Sequence, residues 1–88
     1  MNIKFTETGW NDYTYWENQD KKTLKQINKL IADISRNGYD GIGKPEPLHG
    51  DLSGWWSRRI DEKNRLVFRI INNEAIEISQ CKGHYSDR

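Results

Sequence analysis

The chain has 88 residues and a net charge of +1, room for a single domain near the lower size limit for a self-supporting core. One cysteine, Cys81, excludes an intramolecular disulfide, and no stretch approaches the length of a membrane span. Leu, Ile, Val and Phe total 18, near the composition of disordered chains, but four Trp and four Tyr add large buriable rings, so a folded domain of modest stability is expected.

The opening MNIKFTETGW has no apolar h-region, which points to the cytoplasm with no membrane partner. Within it, NIKF alternates polar and apolar residues and predicts a short first strand. Thr8 or Asn11 can cap a helix in which Trp10, Tyr13 and Trp16 recur at helical spacing, a face expected to pack on the sheet. Asp20 suits the N-cap of a second helix. Leu24, Ile27, Leu30, Ile31 and Ile34 form its apolar stripe, lysines occupy the other face, and Asn37-Gly38 ends it.

Residues 39–54, YDGIGKPEPLHGDLSG, predict a loop long enough to suggest function. It holds both prolines of the chain, one on either side of Glu46. Proline fixes its own φ and disfavours the helical region for the residue before it, so Lys44 and Glu46 are expected to be extended. Residues 41–71 carry six Lys/Arg against four Asp/Glu, a hint of anion binding, whereas residues 1–40 balance six against six.

WWSRRI, RLVFRII and EAIEISQC then read as three strands joined by the polar turns DEKN and NN, an antiparallel meander. Strand alternation puts Leu66, Phe68 and Ile70 under the helices and Arg65, Val67 and Arg69 on the opposite face. Trp55, Ser57 and Arg59 share one parity, and Trp56, Arg58 and Ile60 the other, so one of the two tryptophans belongs to the core. In this strand-like run Cys81 reads as a small buried filler. The expected architecture is one α+β domain, an antiparallel sheet with two N-terminal α-helices on one face. Its parts are the helices at about 8–38, the loop 39–54, the meander at 55–81 and a tail at 82–88.

Motifs for metals, nucleotides and nucleophile triads are missing. His49 and His84 are 35 positions apart, and GIGKPEP lacks the P-loop and dinucleotide spacings. An acid, several arginines and a histidine remain. RNA phosphodiester cleavage without a metal needs a base for the 2′-OH, a cation for the phosphorane and an acid for the 5′-oxygen. Glu46, Arg65 and His84 could fill these tasks with Arg59 as a second phosphate clamp, although such residues are more often plain surface groups.

The blocks GKPEPL and LSGWWSRRI, the spacing from them to Arg65, the terminal GHY and the opening W..YTYW resemble the YoeB-type toxins of the RelE superfamily, along essentially the whole chain. The resemblance implies a ribosome-dependent, metal- and cofactor-independent endoribonuclease of a type II toxin–antitoxin pair that cuts mRNA in the A site. By the same resemblance Glu46 is the general base, Arg65 the phosphate-stabilising cation and His84 the general acid. Tyr85, Arg59, Lys44, His49 and Arg58 form the RNA-binding set. Implied partners are the 70S ribosome with its 30S A site, mRNA, a YefM-type antitoxin, a second copy of the chain, and operator DNA only through the antitoxin complex. The chain departs from the family pattern at His49, where relatives commonly carry lysine, and in Ser86-Asp87-Arg88 beyond the His-Tyr pair. A rival from another class is an A-site-binding inhibitor that does not cut. A further rival is a protein-binding module that shares only the scaffold.

Overall fold

A computed structural model describes residues 1–87; Arg88, the last residue of the extension, lies outside the described residues. The elements run β1 (Asn2–Phe5), α1 (Glu7–Gln19), α2 (Lys21–Asn37), β2 (Glu46–Pro47), β3 (Trp56–Arg59), β4 (Arg65–Ile71) and β5 (Ala75–Gln80), with 3-10 turns at Gly50–Leu52 and Tyr85–Asp87. The five strands form one sheet in the order β1-β5-β4-β3-β2. The α+β architecture matches the expectation. The sheet is mixed, because β1 lies parallel to β5 while the other pairs are antiparallel. The two helices carry the chain from β1 to β2 at the opposite edge, and the meander then brings β5 back beside β1, so no tight turn joins the parallel pair.

The α2 stripe builds the core. Ile27, Leu30 and Ile34 are fully buried against Leu66, Phe68, Ile76 and Ile78 of the sheet and against Cys81. Asp20 serves both helices: its amide donates to the Trp16 carbonyl at the end of α1, and its side chain accepts from Lys22 and Thr23 N–H at the start of α2. The first cap differs from the expectation. Thr6, not Thr8 or Asn11, accepts from Gly9 N–H, and its hydroxyl also reaches the carbonyls of Ile78 and Ser79, so one side chain caps α1 and ties it to β5. A Cβ on Gly9 would stand 2.3 Å from the Ile78 carbonyl oxygen, which makes glycine a requirement of this close approach.

That approach also corrects the aromatic stripe. Tyr13 and Trp16 pack on the core, but Trp10 is 51% exposed, because Gly9 and Asp12 take the positions against β5 and rotate Trp10 outward. Trp10 instead stacks on Tyr13 and meets Phe5 edge-on. Among the described residues no helix is long and apolar enough to cross a membrane.

Arg58 is fully buried, which overturns its place in the RNA-binding set. Its parity already pointed inward with Trp56 and Ile60. The guanidinium pairs with Asp33 of α2 and donates to the carbonyls of Gly38 (2.8 Å), Asp40 (2.7 Å) and Ile42 (3.0 Å). Asp33 also accepts from Asn37 and from Ile42 N–H. The hydrogen bond from Arg58 holds the Asp33 carboxyl below the usual carboxylate range, against the upward push of burial.

Breaking one half of this pair leaves the other buried and uncompensated. Arg58→Ala or Asp33→Asn is expected to lower the Tm by roughly 10 °C or more. In a thermal-melt cycle of Arg58→Met, Asp33→Leu and the double variant, the double should lose less than the sum of the two single losses, and strict additivity would rule the pairing out as the cause. Because the Asp33 and Asp20 carboxyls titrate lower in the folded chain than in the unfolded one, their stabilising contribution is complete above the unfolded value of about pH 4 and is lost as pH falls through the folded values. Thermal melts from pH 6 to pH 2 should therefore show Tm falling from about pH 4 downward.

Candidate active site

Glu46 is carried by the edge strand β2, inside what reads in the sequence as loop. Glu46 lies opposite Ser57 in the register, and Leu48, itself buried, donates its N–H to the Trp55 carbonyl. Just upstream, the Gly43 carbonyl accepts Arg59 N–H at 2.6 Å, with the chain pressed so close that a Cβ on Gly43 would meet Leu30 at 2.9 Å. The sharp bend this requires continues into Lys44, whose φ of +50° departs from the extended backbone expected of a pre-proline residue. Prolines fit here because an edge strand can lack N–H donors on its outer side.

Arg59 and Arg65 are direct partners at the end of the β3–β4 ladder. Side chains opposed in this way share a face, and like charges so placed repel. Among the described residues the salt bridges are Arg58–Asp33 and Arg69–Glu77, so neither Arg59 nor Arg65 has a carboxylate partner there. Arg65 is steered by the β3–β4 turn: its Nη1 donates to the carbonyls of Asp61 (2.7 Å), Asn64 (3.1 Å) and Glu62 (3.3 Å). The turn is itself tied by Asp61, which accepts from the amides of Lys63 and Asn64 and from the Asn64 side chain. Partial burial pushes the Asp61 carboxyl up, but these hydrogen bonds and the Arg65 charge outweigh it and hold the group below its ordinary value.

The same turn docks the tail. Asn64 Oδ1 accepts Gly83 N–H at 2.8 Å, and Arg65 N–H donates to the Gly83 carbonyl at 3.0 Å. Upstream, Trp16 Nε1 donates to the Cys81 carbonyl and Asp12 accepts Cys81 N–H, so α1 fixes the root of the tail. Thus held, the Tyr85 hydroxyl donates to Glu46 Oε1 at 3.1 Å, and the His84 and Tyr85 ring centroids lie 4.1 Å apart. Burial, the Glu46 hydrogen bond and the Glu46 charge raise the Tyr85 phenol above its ordinary value, partly offset by Arg65. Tyr85 therefore stays protonated at neutral pH, as a donor to Glu46.

The outcome is one cleft lined by Lys44, Glu46, Ser57, Arg59, Arg65, His84 and Tyr85. Six of these residues belong to the set drawn from the sequence, contributed by β2 and its approach, β3, β4 and the tail. His49 stands exposed before the Gly50–Leu52 turn and does not line the cleft, and Arg58 lies in the core. Ser57, Asp61 and Asn64 escaped the sequence reading; the D-x-x-N spacing of Asp61 and Asn64 was the available signal for the turn. Arg69 does share the open face, but it pairs with Glu77 at 2.7 Å and lies 4.5 Å from the Trp55 ring centroid. Trp56, stacked on Tyr39, is the core tryptophan. Among the described residues no three His, Cys, Asp or Glu side chains gather as a metal site would require.

Comparison with known proteins shows the family of the chain. The family described as YoeB-like toxin of bacterial type II toxin-antitoxin system matches residues 5–85. Toxin YoeB of Streptomyces coelicolor is 53% identical over 85 residues, covering 97% of this chain and 100% of the relative. The structure of a YoeB/ParE toxin from Agrobacterium tumefaciens superposes with a TM-score of 0.93 at 41% identity, over 97% of this chain and all of that one. In Staphylococcus aureus, a heterotetrameric YoeB-YefM toxin-antitoxin complex (TM-score 0.90, 46% identity) and a YoeB dimer (0.89, 45%) each cover 97% of this chain and 98% of theirs. This chain belongs to the YoeB-like toxin family of bacterial type II toxin–antitoxin systems.

Proposed function

We propose that the protein is a ribosome-dependent endoribonuclease that cuts mRNA in the 30S A site by acid–base transesterification. The observation that carries this reading is the pair Arg59–Arg65, opposed across two strands with no ion pair of their own among the described residues, in one cleft with a carboxylate (Glu46) and an imidazole (His84). Two guanidinium groups that form no ion pair among the described residues suit a phosphate diester, whose charge grows toward the phosphorane. Glu46 takes the proton of the 2′-OH as its oxygen bonds to phosphorus. The P–O5′ bond then breaks while His84 delivers a proton to the leaving oxygen, giving a 2′,3′-cyclic phosphate and a 5′-hydroxyl. Tyr85 occupies Glu46 Oε1, which orients the carboxylate and leaves Oε2 to take the proton. Lys44 contributes a further positive charge at the rim.

The groups named carry every proton and charge in this scheme, which therefore calls for no metal or cofactor. The partners follow from the same reading: the ribosome supplies the mRNA in the cytoplasm, and the S. aureus relatives, seen with YefM and as a dimer, support a YefM-type antitoxin and a homodimer for this chain. Operator DNA would be met only through the antitoxin complex.

Mapping mRNA 5′ ends on translating ribosomes tests the chemistry. Glu46→Ala, His84→Gln and Arg65→Lys are expected to lose roughly 10²-fold or more in cleavage while still binding ribosomes, the lysine failing because it lacks the planar fork. Translation inhibited as strongly by these variants, with no cut ends, would favour the A-site-binding inhibitor. Arg59→Gln should separate function from stability. Removing the cross-strand repulsion is expected to raise the Tm of the free protein by roughly 1–4 °C while cleavage falls. A lower Tm would mean that Arg59 serves the fold.

A further inference from the structure

Ser57 is the one short polar side chain in the lining of the cleft that gathers Glu46, Arg59 and Arg65. It is only 4% exposed, stands between Glu46 and Val67 in the sheet register, and precedes Arg59 by two positions on β3. Strand alternation puts its side chain on the face that carries Arg59 and Arg65, so Ser57 forms the floor of a bowl walled by longer side chains. Its hydroxyl forms no hydrogen bond with the described residues, and its cross-strand neighbour Glu46 is bonded to Tyr85 instead. Among the described residues the fully enclosed side-chain polar atoms without a partner are Arg58 Nε and Gln80 Nε2, so Ser57 Oγ opens to the cleft. A nearly buried hydroxyl with donor and acceptor both unused is set to receive a ligand atom. The cleft volume of about 190 Å³ lies below the ~300 Å³ at which small-molecule pockets begin, so it suits a phosphodiester group and not a base.

We propose that Ser57 is a further substrate-contacting residue, whose hydroxyl donates to a non-bridging oxygen of the phosphate held by Arg59 and Arg65; this rests on the reading of the cleft as the site of phosphodiester cleavage. A neutral donor suits the floor. A third cation would add to the repulsion between Arg59 and Arg65, and a carboxylate would neutralise them, whereas a hydroxyl does neither. Its partner is an oxygen whose negative charge grows toward the phosphorane, so the hydrogen bond strengthens in the transition state. The size of serine matters as well, because a larger side chain on the floor would fill the space of the phosphate.

The test compares wild type, Ser57→Ala and Ser57→Cys as full-length proteins. Thermal melts are combined with NMR titration of the free protein with inorganic phosphate, followed at the amides of Ser57, Arg59 and Arg65, and with cleavage of ribosome-bound mRNA. Alanine deletes the hydroxyl, and cysteine fills its space with a poor donor. Both variants are expected to melt at or above the wild-type Tm, because the hydroxyl they lose has no partner within the fold. Both are expected to bind phosphate roughly tenfold more weakly and to cut roughly tenfold more slowly. A lower Tm in Ser57→Ala that Ser57→Cys reverses, with cleavage restored, would make Ser57 a packing residue and overturn the proposal. Wild-type phosphate affinity or cleavage in Ser57→Ala would overturn it too, as would phosphate that moves none of the three amides. Phosphate binding that depends on Ser57, in a wild type that leaves no cut ends, would support the contact while overturning the endoribonuclease reading.

Discussion

The buried Arg58 guanidinium is the interaction on which the rest of the molecule depends. It bonds α2, through Asp33, to three carbonyls of the segment that leaves that helix, at Gly38, Asp40 and Ile42. Burying a charge is costly, and here the cost is met by a carboxylate, by three carbonyl dipoles and by the negative end of α2. An apolar side chain could fill the same space but would leave those carbonyls without donors. The constraint reaches the cleft because Ile42 is followed by Gly43, whose carbonyl binds Arg59 N–H, and then by the strand that carries Glu46. The placement of the carboxylate thus begins at an ion pair buried under the sheet.

The cleft itself is assembled against local preference. Two arginines face each other across paired strands, and Lys44 adopts a left-handed backbone beside them. What holds this arrangement is a second polar hub, Asp61 with Asn64, which ties the β3–β4 turn, steers Arg65 and clamps Gly83 of the tail. The core supplies stability and these hubs supply geometry. Positive charge is thereby concentrated beside Glu46, with neither Arg59 nor Arg65 in an ion pair among the described residues.

Much of this was legible in the chain. The α2 stripe, the Asp20 cap and the three strands of the meander follow from periodicity and turn chemistry, which act over a few residues. All the residues that line the cleft except Ser57 were also named in advance, through strand parity and the GKPEPL and GHY blocks. Arg58 was misplaced, although its parity was right, because burial of an arginine depends on an acid 25 positions away that strand alternation cannot reveal. Trp10 was misplaced because a glycine, invisible to hydrophobic periodicity, sets which side of α1 touches β5. The edge strand at Glu46–Pro47 was hidden by its prolines, which depress strand propensity everywhere except at an edge.

By itself the sequence determined the helices, the meander, the face on which each strand residue falls and the identity of the groups able to move a proton or bind a phosphate. These depend on local backbone preferences and on side-chain chemistry. Only the tertiary structure decided that β1 closes the sheet in parallel, that Arg58 serves the core, and that Arg59 stands directly opposite Arg65. It also decided that the tail folds back to set Tyr85 on Glu46, a contact between residues 39 positions apart. Such pairings depend on register and on buried polar partners far apart in the chain, and no local pattern encodes them.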